Sequence, residues 1–375
     1  MSLARRRAVL FLCALFPALI VAVGISLNVG ATGVHLTALW HESLQGGIEP
    51  GNIADRVVLT QIRGPRVVMA GLTGAALAVA GAVMQGLFRN PLADPGLIGV
   101  SSGAALTTAC MLVLGGAWLD MSAGGGRVTL LSTAWAVPLA GMFGSFVAAC
   151  ALYLFATRGG ATSVSMILLA GVAFSAFSGA LTGILIFRAN DTALRDLTFW
   201  TMGSFARATW PRIGLLCPFL LVAGWVAACL ASPLNALLLG ESDARLMGYP
   251  VERIKRLAMF AVACAVGPAV SFVGAVGFVG VVVPHLVRLV TGPDHRLVLP
   301  GSALLGALLL IAADTLARAI ALLADVPAGI VSAALGIPAF VWLLTRVTVR
   351  ARLACGSLYA LLPGEPAALA SCMST

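Results

Sequence analysis

Apolar runs of about 17–25 residues recur along the whole chain, and that is the length a helix needs to cross a bilayer. Ten candidate spans result, at about 8–30, 66–88, 97–117, 133–156, 165–187, 212–231, 255–275, 277–291, 299–317 and 328–348. The polar intervals between them reach only about 35 residues, below the size of an ordinary soluble domain. Composition agrees: of 375 residues, 60% are hydrophobic and 10% charged, where soluble domains carry about 25% charged. The expected fold is an all-α membrane protein of about ten transmembrane helices. It reads as one domain over 1–375, membrane-embedded from about 8 to 348, with 349–375 as a cytoplasmic tail.

Arg5, Arg6 and Arg7 precede an apolar run from Ala8 to about Val29, too long for the core of a secretory signal. It reads as the first span, starting in the cytoplasm. On that orientation, fourteen of the 23 basic residues face the cytoplasm, a moderate bias of the expected sign. Nine arginines then face the periplasm, among them Arg63, Arg66, Arg195 and Arg318, and that excess needs its own explanation.

The net charge of +9 lies in short loops between apolar runs, which argues against nucleic-acid binding and for membrane lipid as the surrounding partner. Eight cysteines form no CxxC pair, and six lie in or beside apolar runs, as small hydrophobes do. The four histidines, His35, His41, His285 and His295, have no ligand spacing. No disulfide framework, metal site or resident cofactor is expected.

Between the second and third spans, Gln85 to Leu106 forms a polar break carrying Pro91 and Pro95. Each proline removes a backbone donor and pushes its predecessor out of helical conformation. In a bilayer, such a break survives only where protein or a water-filled path covers it. It is expected at the cytoplasmic mouth of a path. Ahead of it, Gly74, Ala78, Ala82 and Gly86 make a small-residue stripe, expected to be a close helix contact.

Energy coupling can be narrowed by what is missing. The one lysine, Lys255, has no glycine-rich phosphate loop, so ATP is not bound in that way and the chain is not expected to be an enzyme. No carboxylate lies mid-span, which argues against a proton relay; Asp314 comes nearest and is placed to pair with Arg318 at i,i+4. Leu237 to Pro250 is polar and helix-prone, bracketed by Gly240 and Gly248, within a cytoplasmic segment taken as 232–254.

Several of these stretches, in collinear order from about 61 to 345, resemble the bacterial ABC importer permeases for iron-siderophore, haem and cobalamin. They are Gln61 to Arg66, Gln85 to Leu106, Gly240 to Gly248, Gly277 to His285, Asp294 to Gly301, Asp314 to Arg318, and Val326 to Ile330 with Leu335 to Phe340. The resemblance implies a homodimer with the path at its axis, two ATP-binding cassette ATPase subunits and a periplasmic binding protein. It implies a cytoplasmic gate at Asn90, Leu92, Ser163 and Val164. ATPase coupling falls on Gly240, Glu241, Asp243, Arg245, Leu246 and Gly248, and binding-protein docking on Arg63, Arg66 and Arg318. A polar residue is common at the position of Val164. Leu194-Arg195-Asp196-Leu197-Thr198-Phe199-Trp200 with Met202-Gly203 is similar to haem permeases. That implies haem as cargo, with Arg195 at the substrate entrance or else in a surface pair with Asp191 or Asp196. Ferric siderophore and cobalamin are the alternatives, and a secondary transporter is less favoured.

Overall fold

The computed structural model describes residues 3–30, 53–122, 130–320 and 326–338. The expected tail at 349–375 lies outside them. Helices α1 (Leu3–Asn28), α2 (Ile53–Phe88), α3 (Val100–Ser122), α4 (Leu130–Ala156) and α5 (Val164–Arg188) follow one another, with a hairpin β1 (Thr157–Arg158) and β2 (Ala161–Thr162) before α5. Next come a short α6 (Asp191–Thr201), α7 (Trp210–Leu237), a short α8 (Glu241–Leu246), α9 (Val251–Val273), α10 (Val279–Thr291), α11 (His295–Ile320) and α12 (Ala328–Pro338). All ten expected spans have a helix, at least in part; seven of these are long and apolar enough to cross a membrane by themselves. Residues through Ala333 form one compact unit; from Ala334 a second begins, described only to Pro338.

Small side chains set the packing. Helix α2 lies at the centre, against α7, α9, α10 and α11. The stripe on α2 is a helix contact: a Cβ at Gly74 would fall 2.7 Å from the Gly306 carbonyl carbon of α11, and one at Gly86 would press on His295. At Gly81 a Cβ would fall 2.5 Å from the Gly280 carbonyl carbon and 2.7 Å from its Cα. Two backbones touch there, and only glycine allows it.

Three boundaries differ from the sequence reading. Helix α3 starts at Val100, because Asp94 accepts from the Gly96 N–H and opens a separate 3-10 turn at Pro95–Ile98. Helix α7 continues through Pro233 to Leu237 and α9 begins at Val251, so both helices run past the expected span ends and 238–250 connects them. Helix α10 begins at Val279, two residues later than the expected 277, because 274–278 is not helical, and it runs on through Pro284. Gly280 meets Gly81, seven residues before the end of α2, so α10 starts about 10 Å inside the bundle at 1.5 Å per residue.

Candidate functional site

The site has two ends. At the end bearing α8, the break after α2 is held by its own polar groups. Arg89 ends α2 in a left-handed conformation, and the Asn90 side-chain oxygen accepts from the Leu92 N–H at 2.9 Å. Burial pushes the Asp94 carboxyl above its usual range, with the Gly96 N–H opposing. Asn90 and Leu92 are exposed. Ser163, also exposed, caps α5 by accepting from the Met166 N–H, and Val164 is half-buried. The four expected gate residues therefore sit in two connections at one end of the bundle, and α5 packs against the 95–98 turn.

The α8 connection lies at the same end. Gly240 has φ 132°, a conformation side chains avoid, and Gly248 ends the turn at φ 86°. Leu246 is 87% exposed, and Leu239 and Met247 are exposed beside it. Asp243 carries no described ion pair among the described residues, whereas Glu241 and Arg245 join a network. Their own i,i+4 contact is loose at 3.8 Å. Lys255 of α9, 3% exposed, binds Glu241 at 2.9 Å and the Thr162 carbonyl at 2.7 Å, and Glu252 accepts from the Thr162 N–H at 2.9 Å. Sequence reasoning missed Lys255 and Glu252. The available signal was a lone lysine, at the start of a span, in a chain that otherwise uses arginine.

Also at this end, Asn235 donates to Asp294 at 2.6 Å, which turns its oxygen toward His295. That oxygen accepts from the His295 backbone N–H and from Nδ1, both at 2.8 Å. His295 is thereby the neutral Nδ1–H tautomer, and its Nε2 accepts from Arg288 at 3.1 Å. Its role is structural: it ties the start of α11 to α7 and α10.

At the opposite end, the expected docking arginines converge. Arg66 meets both Asp314 oxygens, at 2.9 and 3.1 Å, and Arg318 meets Asp314 at 3.0 Å, as its spacing predicts. Arg318 also donates to the Ser26 and Val29 carbonyls, and Arg63 to those of Leu27 and Asn28. Three of those carbonyls lie in the last turn of α1 and Val29 follows it directly, where a helix has no internal N–H donors left for its carbonyls. Two arginines therefore cap one helix, where cations also suit the helix dipole. This accounts for part of the periplasmic arginine excess.

Arg195 lies at the same end of the bundle, on α6. It makes no ion pair among the described residues; Asp196 pairs with Arg207 at 2.9 Å instead, and the Arg195 guanidinium sits 5.8 Å over the Phe199 ring. The expected alternative of an Arg195 surface pair is not what forms. Asn190 caps α6, accepting from the Ala193 N–H at 2.8 Å. The α6–α7 corner then crosses 274–278: Ser204 N–H donates to the Val273 carbonyl at 2.8 Å and Gly329 N–H to the Gly203 carbonyl at 3.1 Å.

A helical bundle with an apolar interior, seven helices long and apolar enough to cross a membrane, a non-helical stretch inside it and a short exposed helix at one end defines the class: a multi-pass helical membrane protein. The chain belongs to the FecCD transport family, which it matches over residues 18–346. It is 40% identical over 316 residues to a cobalamin import system permease of Halobacterium salinarum, covering 84% of this chain and 80% of that one. It is 39% identical over 327 residues to a hemin transport system permease of Yersinia pestis, covering 87% and 92%. A vitamin B12 import permease of Salmonella typhi is 41% identical over 286 residues, covering 76% and 83%. Among solved structures, an inward-facing one assigned to the metal-chelate type of ABC transporter superposes with TM-score 0.76 at 29% identity, covering 89% of this chain and 98% of that one. The protein is the membrane-spanning permease subunit of an ABC importer in the bacterial inner membrane, and ATP hydrolysis lies on a separate subunit.

Proposed function

We propose that this permease moves haem from periplasm to cytoplasm, as one half of a homodimer driven by two ATPase subunits and fed by a periplasmic binding protein. The observation that carries the cargo assignment is Arg195. It is exposed at the α6 end, beside Phe199, with its guanidinium engaged by no carboxylate among the described residues. A flat macrocycle with two propionates asks for an aromatic face and a guanidinium, which matches carboxylate geometry. The hemin permease among the relatives supports the same reading. The cobalamin permeases support a second reading, in which a corrin is carried.

The dimer rests on the 274–278 stretch. Ala275 and Gly277 are exposed on the single chain. Non-helical backbone cannot face lipid, so a second copy or a water-filled path must cover it. Helix α5 supports this too, since it packs on α3 and α4 and leaves large side chains such as Leu169, Val172 and Phe177 exposed.

Asn90, Leu92, Ser163 and Val164 would close the cytoplasmic gate. The Gly240 to Gly248 segment, led by Leu246, would insert into the ATPase. Arg63, Arg66 and Arg318 would serve docking indirectly, by fixing the ends of α1, α2 and α11 on which the binding protein lands.

Vesicles holding permease and ATPase, supplied with loaded binding protein, should accumulate haem on ATP hydrolysis. Arg195→Ala should lower the rate about tenfold while assembly is retained. Accumulation of cobalamin or a ferric siderophore in place of haem overturns the cargo and leaves the importer class standing.

A further inference from the structure

Lys255 joins its own helix to two other elements at one point. Its ammonium donates to the Thr162 carbonyl of β2 at 2.7 Å, to Glu241 of α8 at 2.9 Å and to Glu252 of its own helix at 3.4 Å. An ammonium has three protons, and here each has an acceptor. Glu252 completes the grip. One of its oxygens accepts from the Thr162 N–H at 2.9 Å, the other from Lys255 and, at 3.3 Å, from Arg245 of α8. Both backbone groups of Thr162 are therefore held by α9, and both ends of that hold also contact α8, Lys255 through Glu241 and Glu252 through Arg245.

What lies next to Thr162 gives the arrangement its use. The Thr162 hydroxyl meets that of Thr157 at 3.0 Å, and Thr157 donates to the Tyr153 carbonyl at the end of α4. The following residue is Ser163, whose N–H bonds back to the Ala156 carbonyl and whose side chain caps α5. A displacement of Thr162 must pass to Ser163, and from there to the first turn of α5.

Burial makes the link stiff. At 3% exposure the Lys255 ammonium has little water to replace a lost partner, so breaking one bond alone leaves a buried charge poorly compensated. Arg245 is 57% exposed and adds little by itself. The compact ammonium also matters: a guanidinium spreads its donors in a plane over three nitrogens, so it does not reproduce three contacts made from one nitrogen.

We propose that Lys255 and Glu252 are positioning residues that transmit movement of the α8 segment to the gate-bearing start of α5. The proposal rests on reading α8 as the ATPase contact and Ser163–Val164 as gate. The hairpin is the lever, Thr162 is its grip, and α8 is what pulls on it. A residue that only stabilised the fold would lower transport and ATP hydrolysis together. A transmitting residue lowers transport per ATP hydrolysed.

The test uses the full importer in proteoliposomes with its loaded binding protein, recording transport and ATP hydrolysis in the same vesicles. Lys255→Met should leave the ATPase bound and hydrolysing, and reduce cargo moved per ATP about tenfold. Lys255→Arg retains the charge and the fold but not the three-way geometry, and should reduce the ratio about threefold. An unchanged ratio in both variants, or in Lys255→Arg alone if Lys255→Met fails to assemble, overturns the relay. Leu246→Asp separates this outcome from failure of the underlying reading. If Leu246→Asp still binds the ATPase and transports normally, α8 is not the ATPase contact. If it releases the ATPase while the lysine variants keep a normal ratio, α8 is the contact and only the relay is wrong.

Discussion

Replacing Gly81 by alanine adds one methyl group at the point where α2 and α10 touch backbone to backbone. The new Cβ would fall 2.5 Å from the Gly280 carbonyl carbon and 2.7 Å from its Cα, against a contact limit of 3.0 Å that real Cβ atoms essentially respect. Its nearest neighbour, the carbonyl oxygen, is closer still, so the two backbones must part by on the order of an ångström. Overpacking a tight interior costs about 1–3 kcal/mol. Here no flexible side chain can yield, which puts the strain at about 3 kcal/mol. Alanine is better than glycine in a helix by about 1 kcal/mol. The net expectation is a loss of about 2 kcal/mol. Gly224 of α7 is the internal control, because a Cβ there meets nothing within 4 Å. Gly224→Ala should gain up to about 1 kcal/mol by the same propensity. The same chemical change at two helix positions should thus differ by about 3 kcal/mol, a factor of about a hundred in the folded ratio. Denaturant titration of the detergent-purified variants, followed by tryptophan fluorescence, measures both. A Gly81→Ala protein at least as stable as the parent would refute the reasoning.

Asp314→Ala leaves Arg66 and Arg318, both largely buried, facing each other without their carboxylate. A loss of about 3–5 kcal/mol is expected in the same titration, and Asp314→Asn should fall between this variant and the parent. Asp294 opens α11 by accepting from the Arg296 N–H at 3.0 Å, so Asp294→Ala should cost about 1 kcal/mol at neutral pH. Burial pushes the Asp294 carboxyl up, but the Arg296 N–H, the Asn235 amide and the Arg296 charge together hold it below its ordinary 3.8. A depressed folded-state value adds stability that is present above the unfolded one and lost as pH falls through the folded one. Thermal unfolding of parent and variant should therefore converge below pH 3.8, and a gap that stays constant from pH 6 to 3 would count against the assignment.

The spans were legible because bilayer thickness imposes one length on every crossing helix, and apolar runs carry that length openly. Pro91 and Pro95 announced the break in the same local way, and Gly240 and Gly248 the ends of the α8 segment. The Asp314–Arg318 pair needed only helical spacing. The remainder depends on contacts that no local pattern encodes. Arg63 reads as a surface arginine until the end of α1, 35 and 36 residues earlier in the chain, is brought beneath it. Thr162 and Glu252 are 90 residues apart. The π-helical turn at Val58–Arg63 has no sequence mark either; its Thr60 carbonyl accepts from Trp210 at 2.8 Å, a partner supplied by α7. The span holding α10 was legible to within two residues, but the crossing of 274–278 over the α6–α7 corner, which sets where it starts, was not.

Lys255 also gives the molecule a chemical handle. It is the chain's one lysine, so a reagent that forms stable adducts only with amines has a single side chain to modify. At 3% exposure, with all three protons engaged, that amine is shielded from reagent and has no free lone pair to offer. Its modification rate is then a clock for the moments when hairpin and α8 separate. Intact-mass measurement across the nucleotide cycle would read that clock with no engineered label in the protein.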